Sequence, residues 1–221
     1  MTDRNERRAA PLSRERIVAA AIALLDEGGA NALTFRSLAT RLATGSGAIY
    51  WHVADKQTLL TAATDQVIAQ ATTRSGGGAS PDEVIRTLAL GVFDAIHAHP
   101  WVGAQLAGDP WQYAVLRILE GVGAQVEALG VPELARFNAA TALLSFILGL
   151  AGQYAVASSR FGGHMDRTAF LKAVAARWAQ LDPFEHPFVR QVATQLPEHD
   201  DREQFLAGIN LILVGIERSR P

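Results

Sequence analysis

The chain has 221 residues, of which 49% are hydrophobic and 19% charged, enough apolar material for one large or two modest domains with a sizeable core. It contains no cysteine, which excludes a disulfide framework and thiolate metal sites. The formal charge of −2 is uneven: residues 1–60 hold eight Lys/Arg against six Asp/Glu, and the remainder twelve against sixteen, so the basic end is the one suited to a polyanion.

The first sixteen residues are polar and carry Arg4, Arg7, Arg8, Arg14 and Arg16 without an apolar run, so no secretory signal is expected. Residues 1–12 read as a flexible arm. Ser13 is a good N-cap, and Ile17, Val18, Ala21, Ile22 and Leu25 recur at helical spacing until Gly28-Gly29, where a first helix should stop. A second helix starts near Thr34, with Leu33, Leu38, Ala39 and Leu42 inward and Arg36, Ser37, Thr40 and Arg41 outward. Ala43-Thr44-Gly45-Ser46-Gly47 turns the chain sharply, and a short third helix covers roughly Gly45 to Trp51. This is the element order of a helix-turn-helix, whose second helix enters the major groove.

Asp55 is placed to cap a fourth helix reaching about Thr72, and residues 73–79, TRSGGGA, read as a flexible joint. Its three glycines lack the Lys-Ser/Thr that a phosphate-cradling loop requires. Residues 80–221 form the second domain. Ser80-Pro81-Asp82-Glu83 combines a capping hydroxyl, a first-turn proline and a reciprocal carboxylate, opening a helix to about His97. A short helix is expected between His99 and Gly108, and Asp109-Pro110-Trp111-Gln112 opens another that ends near Gly130. Val131-Pro132 starts a long helix from about Glu133 to Ser158. Further helices fit Asp166 to Leu181 and Arg202 to Arg218, and Phe188 to Leu196 has helical character. The least polar stretch, Ala139 to Gly152, falls short of the ~20 residues that span a bilayer, so no membrane association is expected.

The segment LATRLA followed by AIYWHVADKQTLL resembles the DNA-binding head of the tetracycline-repressor (TetR) family, with Tyr50, His52, Lys56, Leu59 and Leu60 at the offsets of its L/I-Y-x-H-F/V-x-x-K-x-x-L-L signature. The final QFLAGINLILVGIERSR and the Leu148 to Leu150 LGL are more loosely similar to the last two long helices of that family's namesake branch. The resemblance implies an all-α chain: an N-terminal three-helix helix-turn-helix DNA-binding domain over residues 13–60, and a larger C-terminal helical domain for ligand binding and dimerisation. It also implies a cytoplasmic transcription regulator, most simply a homodimeric repressor of a double-stranded DNA operator, released by a small-molecule effector. Two departures stand out. Ala43 occupies the turn position that is usually glycine, and Thr44 follows where an apolar residue is usual.

The resemblance also distributes roles. Arg36 is the long donor nearest the reading surface and suits a guanine O6/N7 edge or a flanking phosphate, with an ordinary surface arginine as the bland alternative. The third helix is bare: Ser46 offers one hydroxyl, Gly47 nothing, and Ala48 a methyl for thymine. Thr34, Tyr50, His52 and Lys56 match family positions that touch phosphates; Tyr50 and Trp51 would otherwise pack the head, and His52 would otherwise pack or cap.

For the effector, wall candidates are Phe93, His97, Trp101, Trp111, Tyr113, Phe137, Asn138, Thr141, Ser145, Gln153, Tyr154 and Trp178, each aromatic having core packing as its alternative. Asn138, Thr141, Ser145 and Gln153 need partners if buried. The dimer interface implied by the family would use Leu144, Leu148, Ala151 and Gly152 with Phe205, Ile209, Leu213 and Ile216, stripes that a monomer's own core could also absorb.

No metal and no cofactor is expected. His97 and His99, at i and i+2, diverge on a helix and lack a completing carboxylate. His164, His186 and His199 have no nucleophile elbow nearby, so an enzyme is not expected. A DNA-binding protein without an effector is the other reading. The namesake's magnesium-borne tetracycline is anchored by a histidine and an acidic residue; here no histidine lies between Trp101 and Pro110, and Gln153 stands near the acidic position. An uncharged apolar or aromatic effector, insensitive to magnesium, is expected instead.

Overall fold

Caps and glycines cut the chain where local chemistry requires. The computed structural model describes residues 11–73, 79–108, 112–161 and 167–218, with the backbone alone at 151, 152 and 154–161. Among the described residues every regular element is helical: α1 (Arg14–Ala32), α2 (Phe35–Leu42), α3 (Ser46–Tyr50), α4 (Lys56–Thr72), α5 (Pro81–Ala98), α6 (Pro100–Gly108), α7 (Tyr113–Ala128), α8 (Glu133–Phe161), α9 (Arg167–Ala179), α10 (Pro187–Val192) and α11 (Asp201–Arg218), with a 3-10 turn over Ala193–Glu198 between the last two. The arm at 1–10, residues 74–78 of the joint, and Asp109, Pro110 and Trp111 lie outside the described residues.

Two compact units result, one up to Val67 and one from Ile68, so the division falls inside α4 and ahead of the 73–79 stretch. In the first unit, the head, Ser13 Oγ accepts from Arg16 N at 3.3 Å to start α1. Helical geometry breaks at Gly28 and Gly29, and Gly29 has φ +63°, a conformation costly for residues with a Cβ. A further short turn then carries α1 to Ala32. Ile17, Val18, Ala21, Leu24 and Leu25 of α1 meet Leu33, Leu38, Ile49, Val53, Leu59 and Leu60 in the core. Each large side chain removed from water there contributes about 1.5–3 kcal/mol.

The second unit, the body, is built around α8, which packs against α5, α6, α7 and α11. Its first helix starts on the predicted box: Ser80 N donates to Glu83 Oε2 at 2.8 Å, with Pro81 in the first turn. Ile85, Leu88, Ala89, Val92, Phe93 and Ile96 then form one buried stripe of α5. Phe205 of α11 stacks between Phe93 (centroids 4.9 Å apart) and Phe146 of α8 (5.6 Å). Gly208 makes room for Phe146 where α8 meets α11: a Cβ there would lie 2.1 Å from Phe146 Cζ, so the ring would have to move. Helices α9 and α10 and the 3-10 turn pack on one another, and Arg167 Nη2 lies 2.8 Å from Asp201 Oδ1, tying the start of α9 to the start of α11.

The long helix differs from its sequence reading. It runs 29 residues, and its window Glu133–Leu150 is long and apolar enough, by length and composition, to cross a membrane. Only 17% of that window is buried, and among the described residues α5, α6, α7 and α11 are the helices that pack on α8.

Candidate nucleic-acid interface

The reading surface is assembled by caps. Thr34 is the N-cap of α2: its Oγ1 accepts from Ser37 N at 3.0 Å, while Ser37 Oγ accepts from Thr34 N at 3.0 Å. Serine therefore does the work that glutamate does in the usual box. Helix α2 ends at Ala43, which has φ +50° and ψ +46°, so the corner keeps the left-handed geometry despite lacking glycine. For a residue with a Cβ that conformation costs roughly 1–2 kcal/mol. Thr44 N bonds back to Ala39 O at 3.0 Å and closes the turn.

Gly45 then caps α3, whose five residues bury only Ile49. Ser46 and Gly47 are exposed, and a Cβ built on Gly47 meets nothing within 4 Å. Arg36 is exposed, and its guanidinium has no ion-pair partner among the described residues. It lines an open hollow with Leu24, Thr34, Ser37, Thr40 and Arg41. Tyr50 stacks flat on Phe35, centroids 4.2 Å apart and planes 7° from parallel, and keeps 54% of its surface exposed. Packing and outward reach thus coexist in Tyr50. Trp51 is different from the packing alternative: it is 89% exposed beside Tyr50 and His52. A reading by periodicity assigns an aromatic to the core by default, and only the α3 exit geometry turns this one outward.

Arg41 pairs with Glu27 of α1, Nη1 to Oε2 at 3.1 Å, so it braces the head and is not free for DNA in this arrangement. The Arg41 hydrogen bond holds the Glu27 carboxyl below its ordinary value, and the same bond raises Arg41. Asp55 accepts from Thr58 N at 2.7 Å and is lowered chiefly by that bond. Glu15, in the first turn of α1, is lowered first by its own backbone N–H, then by the Ser13 hydroxyl, with the nearby His52 a smaller contribution. Lys56 is half-buried, and its Nζ donates to Ala30 O at 2.6 Å. Thr34, Arg36, Ser46, Gly47, Ala48, Tyr50 and His52 are all exposed or partly so on the same small unit.

The effector candidates do not gather in the same way. Phe93 and Trp101 are buried in the body, whereas His97, Tyr113, Phe137, Asn138, Ser145 and Gln153 are exposed. Thr141 is half-buried, and its hydroxyl donates to Phe137 O at 2.7 Å, so α8 satisfies it internally. Trp178 is half-buried on α9, which packs with α10 and the 3-10 turn. Trp111 and the Tyr154 side chain lie outside the described residues. The polar side chains of α8 that needed partners if buried are mostly at its surface, where water serves. A cleft of about 200 Å³ opens instead between α5, α7 and α11, lined by Asp82, Arg86, Leu129, Leu213, Val214, Ile216 and Glu217.

The two apolar stripes also divide. Phe205, Ile209, Leu213 and Ile216 are 1%, 0%, 6% and 7% exposed, because α5 and α8 already cover that face of α11. What α11 leaves outward is a second stripe, Ala207, Leu211, Val214 and Gly215, with Leu211 75% exposed. Leu144 and Leu148 are half-buried, and the Ala151 and Gly152 positions carry no described side chains.

Comparison with known proteins agrees with this arrangement. Residues 17–63 match the family model described as "Bacterial regulatory proteins, tetR family". The structure of SCO7222, a TetR from Streptomyces coelicolor, is 52% identical, superposes with a TM-score of 0.86, and covers 96% of this chain and 100% of its own. The tetracycline repressor protein class D of Escherichia coli is 28% identical over 94% of this chain and 90% of its own length. ActR of Streptomyces coelicolor, solved in complex with actinorhodin, shares the fold at a TM-score of 0.74 with 22% identity, over 94% of this chain and 97% of its own.

Proposed function

Because the chain belongs to the TetR family of bacterial transcriptional regulators, a DNA-binding, cytoplasmic and non-enzymatic family, we propose that it acts as a homodimeric repressor of a palindromic operator and is released by a small uncharged effector. The observation that carries the DNA half is the head itself: α2, α3 and the turn after α3 carry Arg36, Ser46, Gly47, Ala48, Tyr50 and His52 at the surface while Leu38 and Ile49 are buried behind them. Arg36 reads a base edge, and Thr34, Tyr50 and His52 line up with phosphates. Gel-shift titration with the DNA flanking the gene tests this directly. No retardation at low salt on any flanking segment would remove it.

Dimerisation is supported by the open apolar side of α8 and the outward stripe of α11, which a second copy would cover. Two heads can then reach half-sites roughly 34–36 Å apart. Leu211→Glu should leave the fold intact and split the dimer in light scattering, whereas Leu213→Glu should damage the core itself. A Leu211→Glu protein that stays dimeric would move the interface elsewhere.

The effector half rests on family membership, on the absence of a histidine between Trp101 and Pro110, and on Gln153 standing near the acidic position of the namesake. Its mechanism is a population shift: the effector binds one body arrangement better and so changes head spacing. Thermal-shift screening of apolar and aromatic compounds, with and without EDTA, should find ligands whose stabilisation ignores magnesium. Stabilisation by tetracycline only with magnesium would overturn that choice of ligand class, and a chain that binds DNA but responds to no compound would favour an effector-independent regulator.

A further inference from the structure

Gly91 lies inside α5, where glycine costs a helix stability relative to alanine. The last turn of α4 accounts for it. A Cβ at Gly91 would lie 2.5 Å from Ala71 O and 3.4 Å from Ala71 C, and a backbone carbonyl cannot rotate aside as a side chain can. Any larger residue there would force a turn of α4 or α5 to move. Other helical glycines of the body differ, since Gly123 meets nothing within 4 Å, and at Gly121 and Gly208 the added atom would meet the side chains of Leu88 and Phe146. The last turn of α4 is also finished by its own side chains. Thr72 Oγ1 donates to Ile68 O at 2.9 Å, and Thr73 Oγ1 donates to Ala69 O, one of the carbonyls that a helix end leaves without an intrahelical donor. Ala71 O is another such carbonyl, and it is the atom that abuts Gly91.

Ala71 and Gly91 both belong to the body unit, which begins at Ile68 inside α4, while the start of α4 at Lys56 belongs to the head. The 17 residues of α4, about 25 Å of helix, include neither glycine nor proline, at which helices most often kink. We propose that Gly91 is a positioning residue for operator binding: by letting the last turn of α4 settle against α5, it fixes within the body the far end of the helix that starts in the head, and so sets the spacing of the two heads of a dimer. This rests on the DNA-binding and dimer readings above and names the body contact through which head spacing is set. The contact lies ahead of residues 74–78, so packing holds the end of α4 independently of the chain that leads on to α5.

Full-length Gly91→Ala tests it, with Gly123→Ala as the matched change: both bring in a better helix former, and only the first sets an atom against backbone. On operator DNA, Gly123→Ala should bind as the parent does. Gly91→Ala should bind the cognate operator about tenfold or more weakly, and its preference for that half-site spacing over operators lengthened or shortened by one base pair should shift about threefold or more. Equal losses on all three spacings would show general damage, and parent-like binding would show that the contact sets nothing; either result overturns the proposal. In the DNA-free parent, amides 69–72 should exchange about a hundredfold or more slowly than in an unstructured chain, and Gly91→Ala should speed them about tenfold or more. A last turn that exchanges in the parent as freely as an unstructured chain overturns the proposal even where Gly91→Ala does not fold. The exchange readout needs no DNA, so a parent chain that bound no operator would sink the DNA-binding reading while still testing the contact.

Discussion

The head and the body are both helical, but they are held by different means. In the head, α2 has eight residues and buries only Leu38, while α3 has five and buries only Ile49. Helices this short are not stable alone; the Thr34–Ser37 box and the Arg41–Glu27 pair complete α2, while α3, which has no side-chain cap, rests on Ile49. In the body, α5, α7, α8 and α11, of 16 to 29 residues, share with the shorter α6 one core threaded by the Phe93, Phe205 and Phe146 stack. The body spreads its stability over many side chains, whereas in α2 and α3 of the head one anchor carries each helix. A surface that must meet DNA with its polar groups outward has few apolar residues left for its own core.

The contrast is tested most severely by truncating one ring and one anchor. Phe205→Ala should cost about 3–5 kcal/mol in urea unfolding, and Ile49→Ala about 2–5 kcal/mol. The first should move the body's transition and spare the head's, the second the reverse, with operator binding lost while most helical signal in circular dichroism remains. A single transition shifted equally by both would mean that the two units unfold as one. Arg36→Ala, which removes no core atom, should leave unfolding unchanged and cost about 1–3 kcal/mol of operator binding, with specificity relaxed. Equal losses on cognate and scrambled DNA in gel shifts would deny it a base contact.

Acid should affect the head through Glu27. Its folded pKa is held below the ordinary 4.5 by Arg41, so its contribution is complete above that value and is lost as pH falls through the lowered one. Glu27→Gln should flatten the pH dependence of the head's melting below pH 4.5 and leave the body's unchanged; a parallel change in both would place the effect elsewhere. The smallest expected effect is at the corner. Ala43→Gly relieves a left-handed alanine worth roughly 1–2 kcal/mol but gives back part of that in unfolded-chain entropy. A net gain below about 1 kcal/mol should appear as a slightly higher melting temperature of the head, and a loss would mean the alanine methyl packs usefully.

Much of the helix plan was legible because its signals are local. Ser13, Thr34, Asp55 and the Ser80-Pro81-Asp82-Glu83 run are caps whose partners lie three residues away, and each performs as its spacing implies. The Tyr50 to Leu60 signature likewise points to one kind of head. Less legible were the candidate walls and stripes. Asn138, Ser145 and Gln153 look like buried polar groups when read along an apolar helix, yet they are exposed.

Sequence by itself determined that the chain is helical, roughly where most of its helices start, and which family the head belongs to, because capping and short motifs act over a few residues. Only the tertiary structure decided which apolar stripe of α11 is spent on the chain's own core, that Trp51 faces solvent, and that Lys56 reaches back twenty-six residues to Ala30. Those outcomes depend on which helix arrives as neighbour, and periodicity describes a face without naming what will cover it.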